Sequence, residues 1–263
     1  MDKIAKCDYE QNLEENINDI ISAMKTFSYK PKAVRRVNIP KGNGKTRPLG
    51  IPSYEDKLVQ GVMADILSKI YEPKFCENSH GFRPNRSCHI ALKELNFSIM
   101  KDKIGYVVDA DIKGFFDNIN QEWLIKFLRH DIADEKFIRY VKRFLRAGIM
   151  EEWQLLESDK GTSQGGLISP ILANVYLHYV LDLWFDSKIK SKFKGATYMV
   201  RYADDFVCCF QYEGEANRFY EMLKERLEKF GLNLADDKSR IIKLVGHYRL
   251  YGVNDNIKSL LKF

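Results

Sequence analysis

An α+β fold is predicted by three features of the 263-residue sequence. Two apolar runs, Tyr198-Met199-Val200-Arg201 and Phe206-Val207-Cys208-Cys209-Phe210, flank the polar Tyr202-Ala203-Asp204-Asp205 as strands flank a turn. A third such run, Tyr106-Val107-Val108, leads into Asp109 and Asp111. Around these runs lie segments with apolar residues at helical spacing, giving the order strand, helix, hairpin, helix, strand.

Tyr9 to Phe27 carries Leu13, Ile17, Ile20, Ile21 and Met24 at helical spacing. A basic hairpin follows, with Lys30, Lys32, Arg35, Arg36, Lys41, Lys45 and Arg47, no acid among them, and a Gly42-Asn43-Gly44 tip. The bland alternative for that charge is an edge that resists strand aggregation; beside a metal site, a nucleic-acid or triphosphate contact is the better reading. Asp56 to about Tyr71 and Ser87 to Met100 read as helices, the second ahead of the strand into Asp111. Glu122 to Arg146 alternates helical patterns with short loops. Ser169 and Pro170 read as an N-cap and first-turn proline, opening a helix through Leu172, Val175, Tyr176, Tyr179 and Leu183. A last helix from Glu215 places Phe219, Leu223, Leu227 and Phe230 along one face and ends at Gly231.

A hydrophobic content of 45% suffices for a sizeable core in one domain or two closely packed subdomains, and a net charge of +6 permits a polyanionic partner. Five cysteines, Cys7, Cys76, Cys88, Cys208 and Cys209, are odd in number and form no Cys-x-x-Cys pair, which fits a reducing cytoplasm. A zinc site from Cys76, His80, Cys88 and His89 matches no common ligand spacing. No apolar run is long enough to span a bilayer, and Met1 to Glu15 is polar and acidic, unlike a secretory leader. A soluble cytoplasmic protein without a membrane partner is therefore expected.

Adjacent carboxylates between strands make poor core and suit Mg²⁺, which takes one or two carboxylates and completes its octahedron with water and phosphate oxygens. Taken alone, Asp204-Asp205 is equally consistent with an exposed acidic turn. The upstream Asp111 shifts the balance, because two-metal phosphoryl transfer needs ligands converging from different elements.

Asp111-Ile112-Lys113-Gly114-Phe115-Phe116-Asp117-Asn118-Ile119, Gly161-Thr162-Ser163-Gln164-Gly165-Gly166-Leu167-Ile168-Ser169-Pro170 and Tyr202-Ala203-Asp204-Asp205 resemble, in order, the polymerase motifs of bacterial group II intron reverse transcriptases, also called maturases. The resemblance continues upstream through Arg35-Arg36-Val37-Asn38-Ile39-Pro40-Lys41, Arg47-Pro48-Leu49-Gly50-Ile51-Pro52 and His80-Gly81-Phe82-Arg83-Pro84-Asn85-Arg86, covering about Tyr29 to Lys243. It implies a right-hand polymerase whose palm is an antiparallel sheet backed by helices. In that scheme residues 1–28 are an N-terminal helical segment, 29–105 the fingers, and 106–243 the palm with a finger-like helical insertion near 120–150.

The activity implied is RNA-directed DNA polymerisation on an RNA template and DNA primer with deoxynucleoside triphosphates, with group II intron RNA as a further partner. Asp111, Asp204 and Asp205 would bind two Mg²⁺ ions, with Ile112 included in the metal set. Asp109 shares a strand face with Asp111 but precedes the family's motif and is not expected to ligate; Asp117 reads as a turn or capping residue. Phe116 resembles the family's steric gate against a ribose 2′-hydroxyl, its other reading being ordinary core. Lys41 and Arg47, with Arg35 as a weaker match, correspond to triphosphate-gripping positions. Gln164, Gly165 and Gly166 would let backbone approach the nascent base pair. Lys238 resembles a palm lysine that protonates pyrophosphate, and Arg83, Arg86 and Tyr202 would meet nucleic acid.

Departures from the family pattern are expected to matter too. Ser163 stands where proline is usual, and the chain passes from Ile241-Ile242-Lys243 almost directly into Gly246-His247-Tyr248-Arg249-Leu250-Tyr251-Gly252-Val253. That segment resembles one found after the thumb, so residues 244–263 read as its remnant and a thumbless, shortened relative is expected. The competing reading is an RNA-binding maturase-like protein without polymerase activity. A metal-dependent nuclease would share the carboxylates but has no use for Phe116 or a triphosphate-binding hairpin.

Overall fold

The computed structural model describes residues 6–40, 44, 46–151, 154–156, 161–162 and 165–244. In chain order its elements are α1 (Lys6–Glu10), α2 (Leu13–Lys25), β1 (Val34–Pro40), β2 (Thr46–Ile51), α3 (Tyr54–Tyr71), α4 (Cys88–Lys101), β3 (Tyr106–Ala110) and α5 (Phe115–Asn118). There follow α6 (Gln121–Asp131), α7 (Glu135–Leu145), β4 (Ile149–Glu151), β5 (Gln154–Leu156), α8 (Ser169–Leu177), α9 (Lys190–Lys192), β6 (Thr197–Tyr202), β7 (Asp205–Phe210), α10 (Glu213–Lys229) and β8 (Arg240–Lys243).

The single N-terminal helix read from the sequence is two, because Asn12, at φ −126° and ψ 42°, leaves helical geometry between α1 and α2. The basic hairpin forms as expected, with β1 and β2 antiparallel from Pro40 against Thr46 to Arg35 against Ile51. Its sheet has the order β2-β1-β4-β5, with β4 joining β1 in parallel. Asp56 fastens the base of the hairpin to α3: its carboxylate accepts from Tyr29 Oη at 2.5 Å, Ser53 Oγ at 2.7 Å and Lys32 N at 3.1 Å. Ser53 in turn caps α3 by accepting from Asp56 N.

The second sheet has the order β6-β7-β3-β8, and every pairing in it is antiparallel. The connections make it a split βαβ-βαβ arrangement, in which β3 and β6 are joined by a helical crossover and β7 lies between them. Its two faces follow the period of two of a strand. Val108, Ala110, Met199, Phe206, Cys208 and Phe210 enter one core with Leu172, Phe219 and Leu223 of α8 and α10. Val107, Val200, Val207 and Cys209 enter another with Ala91, Leu95 and Ile99 of α4. Cys208 and Cys209 thus fill opposite faces, and burial pushes both thiols up, Cys209 to about 12, which leaves them chemically inert.

Ser169 is not an N-cap. The chain is already right-handed helical at Ile168, which holds the cap position without a side-chain bond, and Ser169 is the first residue of α8 with Pro170 in the first turn. Beyond Leu177 the helix continues but widens into π-turns at His178–Asp182 and Phe185–Ile189 before α9. Gly231, at φ +77°, follows α10 as the sequence suggested. Among the described residues no helix is long and apolar enough to cross a membrane. The segment read as a post-thumb remnant lies, from residue 245 onward, outside the described residues.

Candidate active site

The candidate carboxylates gather where β3, β6 and β7 end together. Ala110 pairs with Phe206 across β3 and β7, so one further step of the same register sets Asp111 beside Asp205. Tyr202 pairs with Asp205 across the β6–β7 hairpin, leaving Ala203 and Asp204 as its two-residue turn. Ala203 sits at φ +57°, a left-handed conformation uncommon for a residue with a Cβ. Asp109 pairs its carboxylate with Arg240 of β8 at 3.6 Å, away from this edge. Asp117 lies in the first turn of α5.

The segment before β8 straps Asp111 in place. Asp111 N donates to Ser239 Oγ at 3.2 Å, its carbonyl accepts from Ala235 N at 2.8 Å, and Lys113 N donates to Asn233 O at 2.9 Å. Ile112 forms a bridge with Leu234 and its side chain is buried, so only its main chain faces this chemistry. Lys238 Nζ donates to Asp111 Oδ2 at 2.9 Å. The hydrogen bond to Asp111 and its charge, with Asp237 and Asp205 behind them, raise the lysine pKa above its ordinary value. Lys238 is therefore held as an ammonium that can donate a proton and not accept one.

Three carboxylates and one ammonium share this strand end, an all-oxygen donor set with an excess of negative charge that suits a hard divalent cation. The donors fit the metal chemically. Among the described residues no three carboxylate, imidazole or thiol groups are set to hold a metal ion together, and Asp111 is paired with Lys238.

Phe116, half-buried, stacks edge-on against Phe115 at 5.4 Å. Its carbonyl accepts from Thr162 N at 2.8 Å, which ties the Gly-rich segment to α5. The glycines there serve protein packing. A Cβ on Gly161 would meet Phe116 O at 2.7 Å, and one on Gly165, at φ +115°, would meet Gly50 O at 2.5 Å. The backbone that Gly165 admits on its Cβ side is that of β2, while the residue itself is exposed. Gly166 is buried and accepts from Ser169 N at 3.1 Å at the start of α8. Lys41, Gln164 and the side chain of Arg47 lie outside the described residues. Arg35 is exposed on β1, paired with Ile51 at the end of the hairpin away from its tip.

Arg83 is held inward. Its side chain is 3% exposed and binds the Glu72 carboxylate through Nε and Nη2, with Nη1 donating to Cys76 O at 2.8 Å and Ser79 O at 2.6 Å. All of these bonds are internal, and the buried guanidinium is turned toward the protein. Arg86, near the surface, pairs with Glu77 and holds that carboxyl below its usual range.

The segment around Gly81 does something the sequence did not reveal. Arg201 N donates to Asn78 O and His80 N to Arg201 O, both at 2.8 Å, so residues 78–80 run along β6 toward the turn. A Cβ on Gly81 would lie 2.2 Å from Ala203 N. Gly81 has no positive φ, and its place in a turn does not by itself mark this close approach.

The chain matches the family described as "Reverse transcriptase (RNA-dependent DNA polymerase)" over residues 39–258. The group II intron-encoded protein LtrA of Lactococcus lactis subsp. cremoris is 47% identical over 178 residues, which cover 65% of this chain and 29% of that protein. Protein YkfC of Escherichia coli K12 is 32% identical over 207 residues, covering 68% of this chain and 54% of YkfC. The chain thus spans only part of the length of either relative. Among solved structures, telomerase from Candida albicans with a fragment of telomeric RNA superposes with a TM-score of 0.59 at 15% identity, covering 90% of this chain and 46% of that one. Apo telomerase from Candida tropicalis gives 0.63 at 13%, covering 81% and 45%. At such identities the likeness speaks for fold alone: a right-hand polymerase arrangement in which the β6-β7-β3-β8 sheet, backed by helices, is the palm. With the family matched over most of its length and the carboxylates at the palm's strand ends, this chain belongs to the reverse transcriptase family.

Proposed function

We propose that the chain is an RNA-directed DNA polymerase that extends a primer 3′-hydroxyl with deoxynucleotides on an RNA template. The observation that carries this reading is the strand register that sets Asp111 beside Asp205, with Asp204 in the adjoining turn. These carboxylates, with the main chain at Ile112, hold two Mg²⁺ ions; when bound, the ions make the primer hydroxyl more acidic and neutralise phosphate charge. Lys238, kept as an ammonium, gives its proton to the departing pyrophosphate. Phe116 fills the space of a ribose 2′-hydroxyl, and the basic residues Lys41, Arg47 and Arg35 of the hairpin sequence bind the triphosphate. Gln164, Gly166, Tyr202 and Arg86 border the path of the nucleic acid.

In domain terms, residues 29–105 act as fingers and 106–243 as palm. A cleft of about 650 Å³ lined by Lys30, Arg129, Arg139, Lys142, Arg143 and Arg146 supports a polyanionic partner. Because a relative is an intron-encoded protein, that partner in the cell is a group II intron RNA, bound in the cytoplasm.

Primer extension on an RNA template with Mg²⁺ and deoxynucleotides tests the reading. The product is expected to copy the template sequence, and Phe116→Ala to raise ribonucleotide incorporation by roughly tenfold or more. Binding without extension at low salt would leave a maturase-like RNA-binding protein, and cleavage without extension a nuclease.

A further inference from the structure

Arg201 immediately precedes the Tyr202-Ala203-Asp204-Asp205 hairpin end and is 0% exposed. Its five N–H groups are all used. Nε donates to Asp182 Oδ1 at 2.8 Å and Nη2 to Asp182 Oδ2 at 2.5 Å. The other Nη2 hydrogen goes to Ser79 Oγ at 2.6 Å, and Nη1 donates to Asn174 Oδ1 at 3.0 Å and to the Ala203 carbonyl at 2.8 Å. Asp182 and Ser79 are 0% exposed and Asn174 1%. The amide of Asn174 donates onward to Gly81 O at 2.7 Å.

Two features argue against a plain core ion pair. First, desolvating two charges costs more than apolar residues of the same volume would, so such a pair is weak as a source of stability. Second, the helix is bent to suit it. Asn174 and Asp182 are eight residues apart, which in a regular helix turns them about 80° from one another. The π-turn at His178–Asp182 adds room for one residue, so Asp182 takes the angular place of the residue before it and returns to the face of Asn174.

The outcome is a clamp on one peptide. The Ala203 carbonyl belongs to the left-handed residue between Tyr202 and Asp204, a conformation that persists only where its surroundings hold it. Arg201 holds that carbonyl, and the bare backbone of Gly81 lies against Ala203 N. Through Asn174 the same network fixes Gly81 as well.

We infer that Arg201, with Asp182, Asn174 and Ser79, is a positioning residue: its network sets the Ala203 peptide and so the direction in which Asp204 and Asp205 present their carboxylates to cations. This rests on the metal-holding role given above to those aspartates. The effect reaches cation binding itself as well as turnover, and no contact between Arg201 and nucleotide is involved.

The test replaces the buried pair by apolar residues of similar bulk, Arg201→Met with Asp182→Leu, and follows three quantities. These are thermal unfolding, Mn²⁺ affinity by electron paramagnetic resonance in the absence of nucleic acid, and single-nucleotide addition at saturating deoxynucleotide. The double variant is expected to fold with a lowered unfolding temperature, since apolar replacement of the pair costs little by itself but strands the Ala203 carbonyl and Asn174 Oδ1. Mn²⁺ affinity and addition rate are each expected to fall about 10- to 100-fold, with the nucleotide KM little changed. Wild-type affinity and rate in a folded double variant would overturn the inference. Should that variant not fold, Arg201→Lys decides, because a lysine keeps the charge opposite Asp182 but cannot also reach the Ala203 carbonyl with a planar fork. Unchanged Mn²⁺ affinity and rate in Arg201→Lys would equally overturn it. If the wild-type chain binds Mn²⁺ but extends no primer, the polymerase reading fails while the affinity comparison still judges Arg201.

Discussion

A methyl group at position 81 has nowhere to go, since it would stand 2.2 Å from Ala203 N with no side chain to yield. Gly81→Ala is therefore expected to push the Ala203-Asp204 turn off its place and to cut nucleotide addition on the order of 100-fold, measured under single-turnover conditions. Lys238→Ala removes the ammonium from Asp111 and, with it, the proton donor; the expected loss in kcat is about 100-fold with little change in the nucleotide KM. Arg83 behaves differently. Replacing it by Met strands the Cys76 and Ser79 carbonyls, so a loss of about 2–3 kcal/mol is expected in denaturant unfolding with RNA affinity unchanged. That Asp111, Asp204 and Asp205 lie at neighbouring strand ends was legible in the sequence, because two apolar runs bounded by carboxylates marked those ends. The burial of Arg83 and the packing of Gly165 against β2 were not legible, because a buried arginine or a glycine against protein backbone carries the same letters as one facing a nucleic acid.

At the scale of elements, periodicity read from the chain gives α3, α4, α6, α7 and α10, and the strands around both acidic clusters. It does not give the π-turns after α8, since widening a helix by one residue leaves the apolar pattern nearly intact. The junction of α3, α6 and the π-helical stretch is held by Asp131, which is bonded by Lys74 and Tyr179. Burial works to raise the pKa of that carboxyl, but the bonds from Lys74 and Tyr179 outweigh it and hold the group below the usual carboxylate range. A depressed folded pKa means the stabilisation is complete above the unfolded value, about 3.9, and is lost as pH falls from there through the folded value. Asp131→Asn is expected to cost about 1–2 kcal/mol near neutrality and to flatten the dependence of the urea midpoint on pH below about 4. An unaltered acid limb in that variant would show the network to be without weight.

Across the whole molecule, charge rather than packing separates what was legible from what was not. The net charge of +6 and the acid-free hairpin permit a polyanionic partner and are read directly from the sequence. The cleft of Lys30, Arg129, Arg139, Lys142 and Arg146 is not, because folding brings Lys30 to a face on which two successive helices align basic residues that the sequence spreads among apolar and acidic ones. Reversing charge with Arg139→Glu and Lys142→Glu, both near the surface, is expected to weaken RNA binding and to lower the slope of log affinity against log salt by roughly one to two, with the unfolding temperature held. The most direct check on the three aspartates as one reacting centre is the single-turnover addition of one deoxynucleotide to a primer on RNA, compared for wild type, Asp111→Asn, Asp204→Asn and Asp205→Asn. Addition by wild type and its loss by several orders of magnitude in each variant is the predicted result; addition that survives at the wild-type rate in any one of the three folded variants would contradict it.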